Sequence, residues 1–355
     1  DYVSWQQHWL ESPESNQQKT WWLNALKHDI EPLVLHSDVP REQLETRGNR
    51  LHFELTSNQI QAVKQLAKSH QTTPFNVMLT LWHLLMHKYS GQDQVRVGVP
   101  VAGRTQSEMQ SMQGCFINSV VIPANFDSED SFSSLLNQVK SFSEQALERQ
   151  DFPFEMLVES LGITGNLQYH PVFQTSFNLQ SFDQENLLEW HGADVEPFDP
   201  GVVNAQLEIA MDIQQFSQDK WSGFISYVSP VFSEETAQSM LSHWLLLLAQ
   251  ATEDQSVLIG QIHLSDEHSM QQVKAFNATE LDWGQFVAPP QAIELQAEKT
   301  PDAIALSMQG QSLTYKAFND RVNQLANWLR GKGVNTETRV GLGLERSFDL
   351  VIALH

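Results

Sequence analysis

The 355-residue chain has one cysteine, Cys115. An intrachain disulfide and a thiolate zinc cage are therefore excluded. Between Gly114 and Phe116, Cys115 reads as a small hydrophobe in a buried strand. Basic side chains are scarce: 21 Lys and Arg face 43 Asp and Glu, a net charge of −22 at pH 7. A nucleic-acid partner needs clustered cations, so that class is disfavoured, and the charge reads as solubility. Long apolar runs are missing too. The stretch 244–249 falls far short of the roughly 20 residues that span a bilayer. The opening Asp1-Tyr-Val-Ser-Trp5 has no signal-peptide character and no Met, so the start reads as a cut point in a cytoplasmic protein without membrane contact.

Several chemistries lack their residues. No two of the 13 histidines are adjacent. His83 and His87 stand four apart on a predicted helix, but Leu84 occupies the place where a zinc protease needs Glu, so no metal site is expected. There is no G-x-S-x-G elbow and no P-loop. Gly341-Leu-Gly343 is a fragment of a dinucleotide fingerprint, with Arg346 at the third glycine position. Asn277-Ala-Thr279 matches a glycosylation acceptor that has no meaning in the cytosol.

What is present is core material: 41% hydrophobic residues, ten Trp and 19 Phe. Residues 1–28 predict two helices broken at Pro13. Residues 50–55 alternate as a strand, and Thr56 or Ser57 caps a helix with Ile60, Val63, Leu66 and Ala67 on its apolar face. A helix over 74–89 is apolar nearly all round and is expected to be buried. Strands are predicted at 94–99, 116–122, 173–179, 187–195, 205–213 and 223–228. Helices are predicted at 132–147, 156–161 and 233–251. The mixture fits a layered α/β domain. Residues 261–283 are polar and charged, as a linker would be. Beyond them the pattern restarts, with helices at 288–298 and around 318–329, strands at 304–308, 312–314 and 339–344, and a helix from 347 that stops without a cap.

The motifs sharpen this. Gly114-Cys-Phe-Ile-Asn-Ser119 is followed by Arg149-Gln-Asp-Phe-Pro-Phe-Glu155. In that order they resemble two core motifs of the condensation domain of nonribosomal peptide synthetases, GxFVNT and (H/R)QDxPFE. The segment 97–104, VGVPVAGR, His170-Pro-Val-Phe-Gln174 and the run 220–232 are similar to further motifs of that family. Thr300-Pro-Asp-Ala-Ile-Ala305, Leu313-Thr-Tyr315, 319–325 and 340–346 resemble the opening of an adenylation domain. The resemblance implies a chloramphenicol-acetyltransferase-like α/β lobe over residues 1–265, a linker over 266–283, and a partial α/β adenylate-forming domain over 284–355.

It implies amide-bond formation between carrier-bound aminoacyl or peptidyl thioesters. The phosphopantetheine belongs to carrier-protein partners, and ATP and Mg to a complete adenylation domain. The family signature HHxxxDG does not occur here. The lobe bearing it is expected before residue 1, the rest of the adenylation domain after residue 355, and no catalytic residue is assigned. Arg104, Asn118, Gln150, Asp151, Gln174 and Asn178 are the candidates for the substrate tunnel or the crossing between lobes, one crossing being expected around 99–118. Asn118, polar within an apolar strand, either ties down a loop or touches the pantetheine arm. Arg104 either fixes a loop by an ion pair or shapes the tunnel. Asp151 is expected to cap the short helix after Pro153. Two other readings stay open: a non-catalytic carrier-binding scaffold, and a free-standing acyltransferase of the same superfold.

Overall fold

A computed structural model of the chain describes residues 2–26, 31–39, 47–162, 170–181, 203–205, 207–229, 231–265, 267–282, 284 and 287–355. It divides into two compact units, residues 1–272 and 273–355. The strand predicted at 187–195 lies outside the described residues.

In the first unit the helices are α1 (Tyr2–Leu10), α2 (Pro13–Ala25), α3 (Ser57–Ser69), α4 (Pro74–Ser90), α5 (Phe132–Leu147), α6 (Phe154–Ser160) and α7 (Glu234–Glu253). The strands are β1 (Arg47–Leu55), β2 (Gln94–Val101), β3 (Asn118–Asn125), β4 (Thr175–Ser181), β5 (Val203–Asn204), β6 (Ile209–Gln215) and β7 (Trp221–Val228). They form one mixed sheet in the order β3-β2-β4-β6-β7-β1-β5. The pairs β2–β4 and β4–β6 are parallel and the others antiparallel.

Local chemistry explains the helix ends. Thr56 and Gln59 make a reciprocal capping box at α3, Thr73 caps α4 ahead of Pro74, and Gly91 at φ +69° ends α4. Ser233 caps α7, while Asp38 Oδ2 accepts from Ser233 N–H at 2.7 Å and from Thr236 Oγ1 at 2.7 Å. Those hydrogen bonds, the Ser233 N–H first, hold the Asp38 carboxyl below its ordinary pKa.

Helices cover one face of the sheet. Val77 through Leu79 and Leu81 through Met86 of α4 are buried on every side, as the all-round apolar pattern predicts. The stripes Ile60, Val63, Leu66, Ala67 of α3 and Ala237, Met240, Leu241, Trp244, Leu247, Leu248 of α7 are buried too. Phe53 of β1 approaches Trp244 at 6.3 Å, Phe177 of β4 approaches Phe75 at 5.8 Å, and Trp82 Nε1 donates to Thr175 Oγ1 at 3.0 Å. The alternate residues of those strands therefore face away from the helices.

The helix α8 (Glu267–Phe276) occupies part of the stretch expected to be a linker. Glu267 to Phe276 contains neither Gly nor Pro, so polarity there did not mean irregular backbone. Met270, Val273 and Phe276 on it are exposed.

The second unit has α9 (Pro289–Lys299), a hairpin of β8 (Ile304–Met308) and β9 (Gln311–Thr314), α10 (Tyr315–Gly331) and α11 (Phe348–Leu354). Ala297, Phe318 and Ile352 are its buried apolar side chains among the described residues. Gly333, at φ +89°, follows the end of α10, where Val334 N–H bonds Leu329 O at 3.1 Å. The strand expected at 339–344 does not form. A strand needs a ladder partner, and β8 and β9 pair only with each other.

Candidate functional site

The two signature segments meet at Asn118, the first residue of β3. Its Nδ2 donates to Gln150 O at 2.8 Å and to Phe152 O at 2.9 Å. Its Oδ1 accepts from Ser119 N–H at 2.9 Å and from Phe154 N–H at 3.0 Å. Both amide hydrogens and both lone pairs are used, which is the full capacity of an Asn side chain. Phe154 opens α6, whose N-cap is Pro153 with no capping side chain. Asn118 thus does the capping from another element.

Asp151 does not cap α6, contrary to expectation. It lies two residues before that cap position, and its Oδ1 accepts from Thr105 Oγ1 at 2.7 Å instead. Gln150 Nε2 turns back to Leu147 O at 2.8 Å, at the end of α5. The turn is held from behind by α2: Trp22 Nε1 donates to Arg149 O at 2.9 Å, and Phe152 N–H donates to Gln18 Oε1 at 3.2 Å.

Arg104 holds its loop through carbonyls rather than an ion pair. Its Nη1 donates to Met109 O and, at 2.8 Å, to Met112 O. The guanidinium lies 4.2 Å from the centre of the Phe116 ring, and Tyr2 packs edge-on at 4.6 Å. Burial raises the Tyr2 phenol, and the Asp151 and Cys115 charges add to that. Gly103 has φ +63°, and an added Cβ would lie 1.9 Å from Phe116 O. The string Gly103-Arg104-Thr105 therefore sets the loop's turn, its carbonyl clamp and its tie to Asp151. Sequence reasoning missed Gly103 and Thr105; a glycine before a clamp arginine was the available signal.

Cys115 corrects a second expectation. It is exposed and precedes the strand, because β3 begins at Asn118 and Phe116 turns inward beneath Arg104. His83 and His87 do not converge. His83 is buried, with Nε2 2.8 Å from Ile122 O and Nδ1 2.9 Å from Leu79 O, whereas His87 Nδ1 donates to Gln92 O at 2.8 Å. Burial lowers the His83 pKa to about 4 despite those carbonyls.

Gln174 and Asn178 lie apart from that cluster. Gln174 is buried: its Oε1 accepts from Leu33 N–H at 2.5 Å and its Nε2 donates to His170 O at 2.8 Å. The His170, Phe154 and Phe173 rings form a triangular cluster: His170 stacks on Phe154 at 5.5 Å and lies tilted to Phe173 at 4.0 Å, and the two phenyl rings are 5.4 Å apart. Asn178, on the sheet face away from the helices, donates to Asp212 Oδ1 at 3.0 Å.

The family model "Condensation domain" matches residues 1–273. The chain belongs to the condensation domain family. A second family model, "AMP-binding enzyme", matches residues 293–355. The condensation region is therefore followed by the start of an adenylation-type region, as in nonribosomal peptide synthetases. Gramicidin S synthase 2 of Aneurinibacillus migulanus is 31% identical over 356 residues, covering 100% of this chain and 8% of the relative. Tyrocidine synthase 3 of Brevibacillus parabrevis is 32% identical over 357 residues, 100% and 6% respectively. The chain thus spans under a tenth of these relatives' length. The structure of holo-AB3403, a four domain nonribosomal peptide synthetase, shares the fold with a TM-score of 0.74 at 20% identity, covering 91% of this chain and 25% of that one. The condensation domain of the Monacolin K polyketide synthase MokA matches with a TM-score of 0.63 at 15% identity, over 73% and 62%. The chloramphenicol-acetyltransferase-like class expected from sequence agrees with these neighbours. Among the described residues no helix is long and apolar enough to cross a membrane.

Proposed function

We propose that the chain is the C-terminal lobe of a peptide-bond-forming condensation domain over residues 1–265, a linker over 266–283, and the start of an amino-acid-activating domain over 284–355. The reaction is attack of one carrier-borne amine on another carrier's thioester. Orienting the two arms and excluding water are the tasks for which residues 1–265 are suited. The observation that carries the reading is the Asn118 junction, where side-chain bonds lock the GCFINS and RQDFPFE segments into one rigid wall. Arg104, Gln150 and Asp151 belong to that wall as positioning residues, and Gln174 braces the segment beside it. Carrier-protein domains are the partners, and their phosphopantetheine presents the thioesters.

A lobe bearing HHxxxDG completes the domain, and this chain by itself forms no amide. ATP and Mg belong to a complete adenylation domain. The groove of about 830 Å³ in the second unit is lined by Leu325, Leu329, Val340, Leu342 and Leu344, with Arg321 and Asp349 as its charged residues. One guanidinium offset by a carboxylate does not fit a triphosphate, so no nucleotide step is assigned to it.

The test is to supply the native polypeptide carrying this chain with loaded donor and acceptor carriers and to follow the product by mass spectrometry. Amide on the acceptor carrier is the expected result. Carrier binding without turnover overturns the enzymatic reading in favour of a scaffold.

A further inference from the structure

The strand β3 carries Asn118 as its first residue and stands last in the sheet, so its ladder runs to β2 alone. Side chains from other elements hold it elsewhere. Gln138 of α5 takes both main-chain groups of Asn125: its Oε1 accepts from Asn125 N–H at 2.7 Å and its Nε2 donates to Asn125 O at 3.3 Å. Between Asn118 and Asn125, His83 of α4 reaches Ile122 O through Nε2 at 2.8 Å. Ile122 is four residues along the strand from Asn118, about 13 Å at the rise of a β-strand.

His83 is fully buried, and its other ring nitrogen, Nδ1, lies 2.9 Å from Leu79 O. Both ring nitrogens therefore face carbonyl oxygens, which only accept. An imidazolium would serve both, but burial outweighs the two carbonyls and the ring is neutral at neutral pH. A neutral imidazole has a single N–H, so one carbonyl receives a proton and the other meets a lone pair. The two choices differ in what they join. Leu79 precedes His83 by one helical step inside α4, so its carbonyl already receives the main-chain N–H of His83. A proton on Nδ1 would tie the helix to itself. A proton on Nε2 ties the helix to the strand that carries Asn118.

We propose that His83 is a positioning residue which, with its proton on Nε2, fastens β3 to α4 and so sets the place of the Asn118 clasp. The kinetic consequence rests on the condensation reading above; the place of the proton and the hold on the clasp do not.

The first readout is taken on the unmutated 355-residue chain with isotope-labelled histidine, by proton–nitrogen correlation NMR at neutral pH. The His83 signals are identified by their loss in His83→Gln. A protonated Nε2 beside a bare Nδ1 is expected, and a proton on Nδ1, or on both nitrogens, overturns the proposal. The second readout is proteolysis near residues 150–154 in the same chain. His83→Gln keeps a donor at the place of Nε2, His83→Asn keeps one only at the place of Nδ1, and His83→Leu keeps neither. His83→Leu and His83→Asn are each expected to speed cleavage about ten-fold, as loss of one buried hydrogen bond would. His83→Gln stays within about two-fold on the same argument. In an Asn118→Ala background, His83→Leu adds less than about two-fold, because both changes act on one clasp. A His83→Gln chain cut as fast as His83→Leu, a His83→Asn chain cut as slowly as the unmutated one, or full additivity with Asn118→Ala overturns the proposal.

The last readout is amide formation by the native polypeptide carrying this chain, with loaded donor and acceptor carriers. His83→Leu and His83→Asn are expected to lower kcat by about ten-fold with KM little changed, and His83→Gln to recover most of it. An equal loss in all three overturns the positioning role while leaving the condensation reading standing. If the unmutated polypeptide forms no amide, the condensation reading falls, and the NMR and proteolysis results still decide the clasp.

Discussion

Residues 273–355 hold eight basic and nine acidic side chains, whereas residues 1–272 hold 13 and 34. Nearly all of the chain's net negative charge therefore sits on the first unit. That unit also has the continuous core, from Trp22 through Ile262. The second unit buries Ala297, Phe318 and Ile352 and leaves Val340, Leu342 and Leu344 exposed along an unpaired extended stretch. The difference teaches how self-repulsion and burial are matched. A unit with a large core tolerates many like charges, because each one at the surface costs little beside the apolar area removed from water. A unit whose described residues bury three apolar side chains has no such margin.

The sharpest way to break this comparison is to separate the parts. Residues 284–355 alone are expected to show no cooperative unfolding and poorly dispersed amide signals, because the β8–β9 hairpin and the groove-facing side of α10 lack partners. Sharp, dispersed signals from that segment would end the contrast. Next in size is core truncation. Trp244→Ala in the 355-residue chain should cost about 3–5 kcal/mol of unfolding free energy, read from the denaturant midpoint. Phe318→Ala in residues 284–355 alone should leave the melting trace unchanged.

A pH titration sharpens the comparison further. His83 is neutral when buried, with a folded pKa of about 4, against roughly 6.5 when unfolded. The unfolded chain binds the extra proton between those values. Stability of the first unit is thus fully present above about pH 6.5 and falls by roughly 3 kcal/mol towards pH 4. His83→Gln should flatten that slope, and an unchanged slope would assign it to other groups. The smallest expected effect is at the motif junction. Asn118→Ala should cost about 2 kcal/mol and speed proteolysis near residues 150–154. Asn118→Asp keeps the two accepted bonds but aims a carboxylate at Gln150 O and Phe152 O, so it should be no better than Ala. A full recovery by Asp would show that the donated bonds contribute nothing.

The layered fold was legible because periodicity reports burial directly. The stripes of α3 and α7 read from spacing alone are the residues that the helices bury. Family motifs located Asn118 and Arg104 but not their partners. Asn118 bonds chiefly to backbone atoms some 30 residues away, and backbone carries no letter in a sequence. The Asp151 expectation failed because capping rules consider neighbours along the chain, while Thr105 arrived from another loop. The strand expected at 339–344 failed for the opposite reason: its alternation is real, but a ladder partner is not a property of the strand's own residues. Asp212 was overlooked because a single acid in an apolar strand resembles any solvent-facing position until the register places Asn178 beside it.

Because Asn118 grips the turn by its main chain, at Gln150 O, Phe152 O and Phe154 N, the grip is indifferent to which side chains that turn carries. A hybrid gene spliced from two distant relatives would exploit such indifference. A crossover placed within α5, between the two motifs, would join an Asn118 from one parent to a turn from the other without severing the clasp. Crossovers between Gly103 and Phe116 would enjoy no such freedom, since there one parent's ring must fit the other's glycine and arginine.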